Sequence, residues 1–396
     1  MLSRPNVSRL SCSLWLALLA WTAASGRASA FSGTITCNGT DVTAALNAAL
    51  ASSVTDGTGQ ITFTAGTCIV SSAVSRTMTG MHGLQLQGAG LEATTVQFTN
   101  GGGFSFTLGF YTSGINFMST LSLKGLSIIT TGASPSDTCI NVDGQTATSA
   151  GAFGGASSVL VRDVYCRNSG AAAWSQGVHL TSVSSVDLIN FNYFGAVSPT
   201  KTGTGINIEN HLACCETTQY NVIGGRVDWA ATAILVTGKI QGLIANNFNA
   251  AAVTNGLYWS TDAAEAECSI ANSQIAAEGF GIFTNNCAQS TINNNLIYIL
   301  KTGGIGIYLI ATYDTAITGN NVQGGPNNNE IVLQGASFAN ILCNNVVRNA
   351  STGIWLQSGT SGNTVCNNIV NGASTGKYLD QGPTSGPSMN LFSGNR

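Results

Sequence analysis

The chain has 396 residues, of which only 8% are charged against 44% hydrophobic, and its formal net charge is −3. So weak a charge carries no basic stripe to track phosphates, which excludes a nucleic-acid partner, and so many apolar residues exclude a disordered tail. The 48 glycines, together with abundant Asn, Ser and Thr, point to a protein built around tight turns.

Residues 1–30 read as an export signal: Arg4 and Arg9, an apolar run from Leu14 to Ala24, then Ala28-Ser29-Ala30 as a small-residue cleavage site. The run is too short for a membrane span and no later stretch is long enough, so the expectation is a soluble secreted or periplasmic protein with no membrane partner. Removing Arg4, Arg9 and Arg27 from the 14 basic residues leaves 11 against 17 acidic ones. Cys12 departs with the signal, and the ten cysteines that remain suit disulfides in an oxidising compartment, the alternative being small buried hydrophobes. Cys343 with Cys366, at matching repeat positions, is the preferred pair; Cys37 with Cys68 and Cys268 with Cys287 follow.

Residues 31–396 are read as one domain: a cap and first strands over 31–83, coils over 84–379 and a tail over 380–396 that drapes irregularly. Asp41 can cap a helix over 42–51 whose Val42, Leu46 and Leu50 share one face, a natural plug for the end of a repeat stack. Further on, a short apolar stretch leading into Asn recurs, the first Asn falling at 246, 272, 294, 320, 344 and 367, a period of 22 to 26 residues. Looser copies are centred on Gly88, Gly125, Asp163, Asn190 and Gly224. In phase with these runs a second element, seen in Gly177-Val178-His179, Gly205-Ile206-Asn207, Gly281-Ile282-Phe283, Gly306-Ile307-Tyr308 and Gly353-Ile354-Trp355.

Short alternating strands separated by Gly and Asn turns cannot bury their apolar side alone, but stacked coils can, with parallel strands about 4.8 Å apart. The predicted fold is therefore all-β, a right-handed parallel β-helix of about 11 coils with a short N-terminal helix. Asn tolerates left-handed corners, and stacked amides can bond from coil to coil.

Residues after each Gly-Ile pair should point outward and stack in a column. That column reads Asn141, His179, Asn207, Leu235, Tyr258, Phe283, Tyr308, Val332, Trp355, polar first and aromatic later. The next outward column holds Asp143 and Glu209, two coils and hence about 9–10 Å apart, with His179 in the coil between. Asp143 and Glu209 are candidates for an acid and base pair, with His179 or Asp163 assisting, since inverting glycosidases hold two carboxyls at about such a distance. Tyr258, Phe283, Tyr308 and Trp355, with Asn141 and Asn207, are candidates for binding sugar rings. The alternative is a solvated polar face beside aromatics covered by loops. His211 with Cys214 and Cys215 matches no zinc spacing, and the acids form no cluster for calcium, so no metal or other cofactor is expected.

The run Asp41 to Leu50, then Gly59-Gln60-Ile61-Thr62-Phe63-Thr64-Ala65-Gly66-Thr67 and Leu84-Gln85-Leu86-Gln87-Gly88, resembles the opening of pectate-lyase-superfamily domains, and the Asn-rich repeats resemble that superfamily's coils. The resemblance implies a β-helix whose outer face handles a polysaccharide. Thr64-Ala65-Gly66-Thr67 departs from the usual Pro-Pro-Gly-Thr-Tyr, and the Asn-Thr-Asp and Gly-His-Gly of polygalacturonases are absent. The expected function is binding, and cleavage as lyase or hydrolase, of an extracellular polysaccharide along the Gly-Ile face; the alternative is a non-catalytic glycan-binding, adhesive or surface-structural protein.

Overall fold

The computed structural model describes residues 31–55, 58–78, 83–108, 119–132, 137–144, 158–169, 172–198, 200–211, 216–263 and 266–396. The export signal, Cys12, Cys214 and Cys215 lie outside these. Among the described residues the chain forms one helix and 36 strands. It winds a parallel β-solenoid of about 13 turns, slightly longer than the 11 that the sequence suggests.

Each full turn contributes two consecutive short strands to a 24-stranded sheet and one to a 12-stranded sheet, which is called the Gly-Ile sheet below. Inward residues alternate with outward ones, so Ile140, Val178, Ile206, Ile234, Leu257, Ile282, Ile307, Ile331 and Ile354 pack in one buried file. Burial of each such side chain contributes about 1.5–3 kcal/mol. The two strands of the long sheet meet at a corner in the left-handed region, held by Asp163, Asn190, Asn247, Asn272, Asn294, Asn344 and Asn367 and by Gly125, Gly224 and Gly319.

The residue after each late corner turns inward. Asn295, Asn320, Asn345, Asn368 and Asn395 form a ladder in which each amide nitrogen donates to the next amide oxygen at 2.9–3.0 Å. The six recurring Asn that mark the period are therefore not one position. Asn320 is a ladder residue whose corner is Gly319, and Asn246 precedes its corner by one. A second ladder, Asn340 to Asn363 to Asn390, runs along another edge of the coils.

At the N-terminal end the helix Thr43–Thr55 covers the first turn with Leu46 and Leu50 fully buried and Val42 nearly so. Asp41 Oδ1 accepts the Thr43 amide at 2.8 Å, and hydrogen bonds from the Thr43 hydroxyl, the Ser71 hydroxyl and that amide hold the Asp41 carboxyl below the usual carboxylate range. At the other end the tail runs without regular structure over 381–390 and then adds one strand, Leu391–Ser393, which pairs with Thr364–Cys366, and Asn390 and Asn395 terminate the two ladders. Disulfides join Cys37 to Cys68, Cys139 to Cys166, Cys268 to Cys287 and Cys343 to Cys366. Cys139–Cys166 is the one that repeat spacing does not suggest, because it crosses between the two sheets.

Candidate functional site

The strand register stacks Asn141, His179, Asn207, Leu235, Tyr258, Phe283, Tyr308, Val332 and Trp355 as one outward column of the Gly-Ile sheet. A neighbouring column runs Asp143, Thr181, Glu209. The two carboxylates stand two strands apart, about 9–10 Å along the axis.

His179 and Glu209 meet: His179 Nε2 lies 2.9 Å from Glu209 Oε1. The other oxygen, Oε2, receives His211 Nε2 at 2.7 Å, and the Asn207 amide donates to Oε1. Thr181 Oγ1 is 3.2 Å from His179 Nε2. Burial opposes ionisation of Glu209, but the Asn207 bond and the two imidazoles outweigh it and hold the carboxyl below its ordinary value. Glu209 is therefore an ionised acceptor at neutral pH and no proton donor. Its two contacts present both imidazoles by Nε2, which leaves their Nδ1 atoms for other partners. An imidazole can both take up and release a proton, so His179 and His211, with Asp143 across one strand, are the groups here whose chemistry suits acid and base work.

Asp163 is not brought to this cluster. It sits at a left-handed corner of the 24-stranded sheet, where its Oδ1 accepts the Asn190 amide at 3.0 Å, a stacking role. Asn141 points to Ser105, donating to its hydroxyl at 3.2 Å. His211, two residues beyond Glu209, is a site residue that metal-ligand spacing alone obscures; its place two positions on from an outward carboxylate is the signal that could have found it. Among the described residues no three His, Cys, Asp or Glu side chains are disposed to hold a metal ion.

The aromatic half is a cluster and not a row of equal platforms. Tyr258 stacks on Phe283 at 4.4 Å, Tyr308 meets Phe283 edge-on at 5.6 Å, and Phe280 packs at 5.3 Å from Phe283 and 5.8 Å from Tyr308. Phe283 keeps only 7% of its surface and serves to support the two tyrosines, so it offers no face to a ligand. Val332 is buried between Tyr308 and Trp355, and Trp355 is half-buried. Beside the cluster the connection after Phe194 is pinned by Lys201, whose ammonium lies 2.5 Å from Glu278 Oε1 and is almost wholly buried. Lys301 takes the other oxygen at 2.5 Å, and although burial works against it, the two lysines hold the Glu278 carboxyl below its ordinary value.

An all-β right-handed parallel solenoid with an outward polar and aromatic strand face defines the class: this is a β-helix with the pectate-lyase-like fold. A family model described as "Periplasmic copper-binding protein (NosD)" matches residues 230–396. No curated protein is significantly similar in sequence. Among solved structures, the chain is similar to PfbA, a surface adhesin of Streptococcus pneumoniae, at 15% identity over 89% of this chain and 91% of that one, with a TM-score of 0.52. It also matches the Azotobacter vinelandii mannuronan C-5 epimerase AlgE4 A-module at 13% identity over 91% and 99%, with a TM-score of 0.47.

Residues 230–396 offer copper little. They contain no histidine and a single methionine, Met389, and the four cysteines there are paired as disulfides.

Proposed function

We propose that this is an extracytoplasmic protein that binds a polysaccharide lengthwise along the Gly-Ile sheet. The observation that carries the reading is the one outward face of the Gly-Ile sheet that has the His179, Glu209 and His211 cluster at one end and Tyr258, Tyr308 and Trp355 further along, with Phe283 and Val332 buried between the last three. A stack of parallel strands repeats its contacts about every 4.8 Å, which suits a polymer with its own repeat. Aromatic faces gain by stacking on the apolar sides of sugar rings, while Asn, Thr and His meet hydroxyls. The four disulfides among the described residues fit an oxidising compartment, in agreement with the export signal read at residues 1–30 and with the periplasmic description of the matching family.

Cleavage is a second reading, favoured by one feature: an ionised Glu209 that orients two imidazoles beside Asp143 is an arrangement suited to acid and base work. It is tested on purified protein with pectate, alginate, xylan and bacterial exopolysaccharides. New reducing ends with unsaturated uronide absorbance mean a lyase, and reducing ends alone mean a hydrolase. In either case Glu209→Gln and Asp143→Asn lose turnover at retained affinity. No new ends on any substrate, with binding retained, leaves a glycan-binding protein.

A further inference from the structure

A second polar depression lies away from the Gly-Ile sheet. A groove of about 730 Å³ crosses the first strands of successive turns in the 24-stranded sheet, from Ser158 to Thr291. Six turns contribute, so it is about 24 Å long. Its floor is an outward column in strand register, Asp187, Asn221, Ile244, Ser269 and Thr291. The column is polar at both ends: Asn221 donates to Asp187 Oδ1 at 2.8 Å, and the Ser269 and Thr291 hydroxyls lie 2.9 Å apart. Between them Ile244 leaves 49% of its surface exposed.

Within the groove one position carries no side chain. Gly242 stands in register with Glu267, on the row beside Gln219, and opens a gap flanked by both. A Cβ built there would meet only the Gln219 amide nitrogen, at 3.6 Å. Nothing in the backbone demands glycine at 242, so the gap is space and not a turn requirement.

The geometry points to a second carbohydrate site in this groove, specific for a neutral oligosaccharide. An exposed aliphatic floor between hydroxyls and carboxamides matches a sugar ring, which has an apolar face and a polar edge. The ionic lining is Asp187 and Glu267, with no lysine, arginine or histidine, so uronates and phosphates are repelled. The site goes beyond the reading of the Gly-Ile sheet and is separable from it, since the two surfaces lie on different sheets.

The test is a glycan array of neutral and uronate oligosaccharides, followed by titration calorimetry, on the full chain and three variants. Gly242→Phe fills the gap, Asp187→Ala/Asn221→Ala removes the polar pair, and Tyr308→Ala/Trp355→Ala alters the Gly-Ile sheet. The expected result is a neutral oligosaccharide bound at least tenfold more weakly by each groove variant and unchanged by the aromatic one, with all variants melting as the parent does. A neutral ligand lost only in the aromatic variant, or uronates bound in preference through the groove, overturns the proposal. So does an array with no neutral glycan whose binding Gly242→Phe reduces. Failure of the polysaccharide reading shows separately, in the aromatic variant alone.

Discussion

Glu330 should make the protein lose stability as pH rises, and replacing it should remove that loss. In the Gly-Ile sheet it stands opposite Gly306, at a position where most turns carry glycine. Its side chain is fully buried, neither carboxyl oxygen has a partner, and burial pushes its pKa up to about 8 from 4.5. Below 4.5 the group is protonated both folded and unfolded, so it contributes no pH dependence. Between 4.5 and about 8 the unfolded chain ionises while the folded chain stays neutral, so stability falls; above about 8 both are ionised and the loss is complete. At about 1.4 kcal/mol per pH unit, the interval corresponds to about 5 kcal/mol. Glu330→Gln keeps the volume and cannot ionise, so relative to the parent it should gain about 4 kcal/mol between pH 5 and pH 9. Urea unfolding followed by fluorescence of the buried Trp174 and Trp259 measures this at the two pH values. Parallel changes in parent and variant would mean that the carboxyl is hydrated or paired and that its burial does not set this pH dependence.

Gly324→Ala should cost about 1–3 kcal/mol by overpacking, since its Cβ would fall 2.0 Å from Glu330 Oε1, and the urea midpoint should drop accordingly. Asn345→Ala should destabilise by about 3 kcal/mol, because it strands the Ile317 carbonyl and the amide groups of Asn320 and Asn368 inside the stack. Hydrogen exchange should show faster opening of the turns on either side. Cys37→Ser/Cys68→Ser should cost roughly 2–4 kcal/mol, read as a lower thermal midpoint that reducing agent brings about in the parent.

The fold was legible because a solenoid writes its geometry into a period. Isoleucines in Gly-Ile pairs must point inward, so their followers must stack outward, and the register confirms that column from Asn141 to Trp355. The phase within the Asn runs was not legible. Asn can occupy either a left-handed corner, as Asn344 does, or the buried ladder, as Asn345 does, and composition does not distinguish the two. For the site, parity placed Asp143, His179 and Glu209 on one sheet, but side-chain direction beyond Cβ is invisible in sequence. That hid the contact between His211 and Glu209 and the covering of Phe283 by its neighbours. Asp163 misled because an acidic residue at a left-handed corner looks the same in sequence as one poised for chemistry. The groove at Gly242 went unread because a missing side chain among many glycines carries no signal until its neighbours are placed.

Whether a polysaccharide lies on the Gly-Ile sheet is read from the glycan affinity of Tyr258→Ala/Tyr308→Ala/Trp355→Ala beside the parent. A chain bound there should be held at least tenfold more weakly by the variant, with the fold intact by circular dichroism. Unchanged affinity in that variant would place the glycan elsewhere.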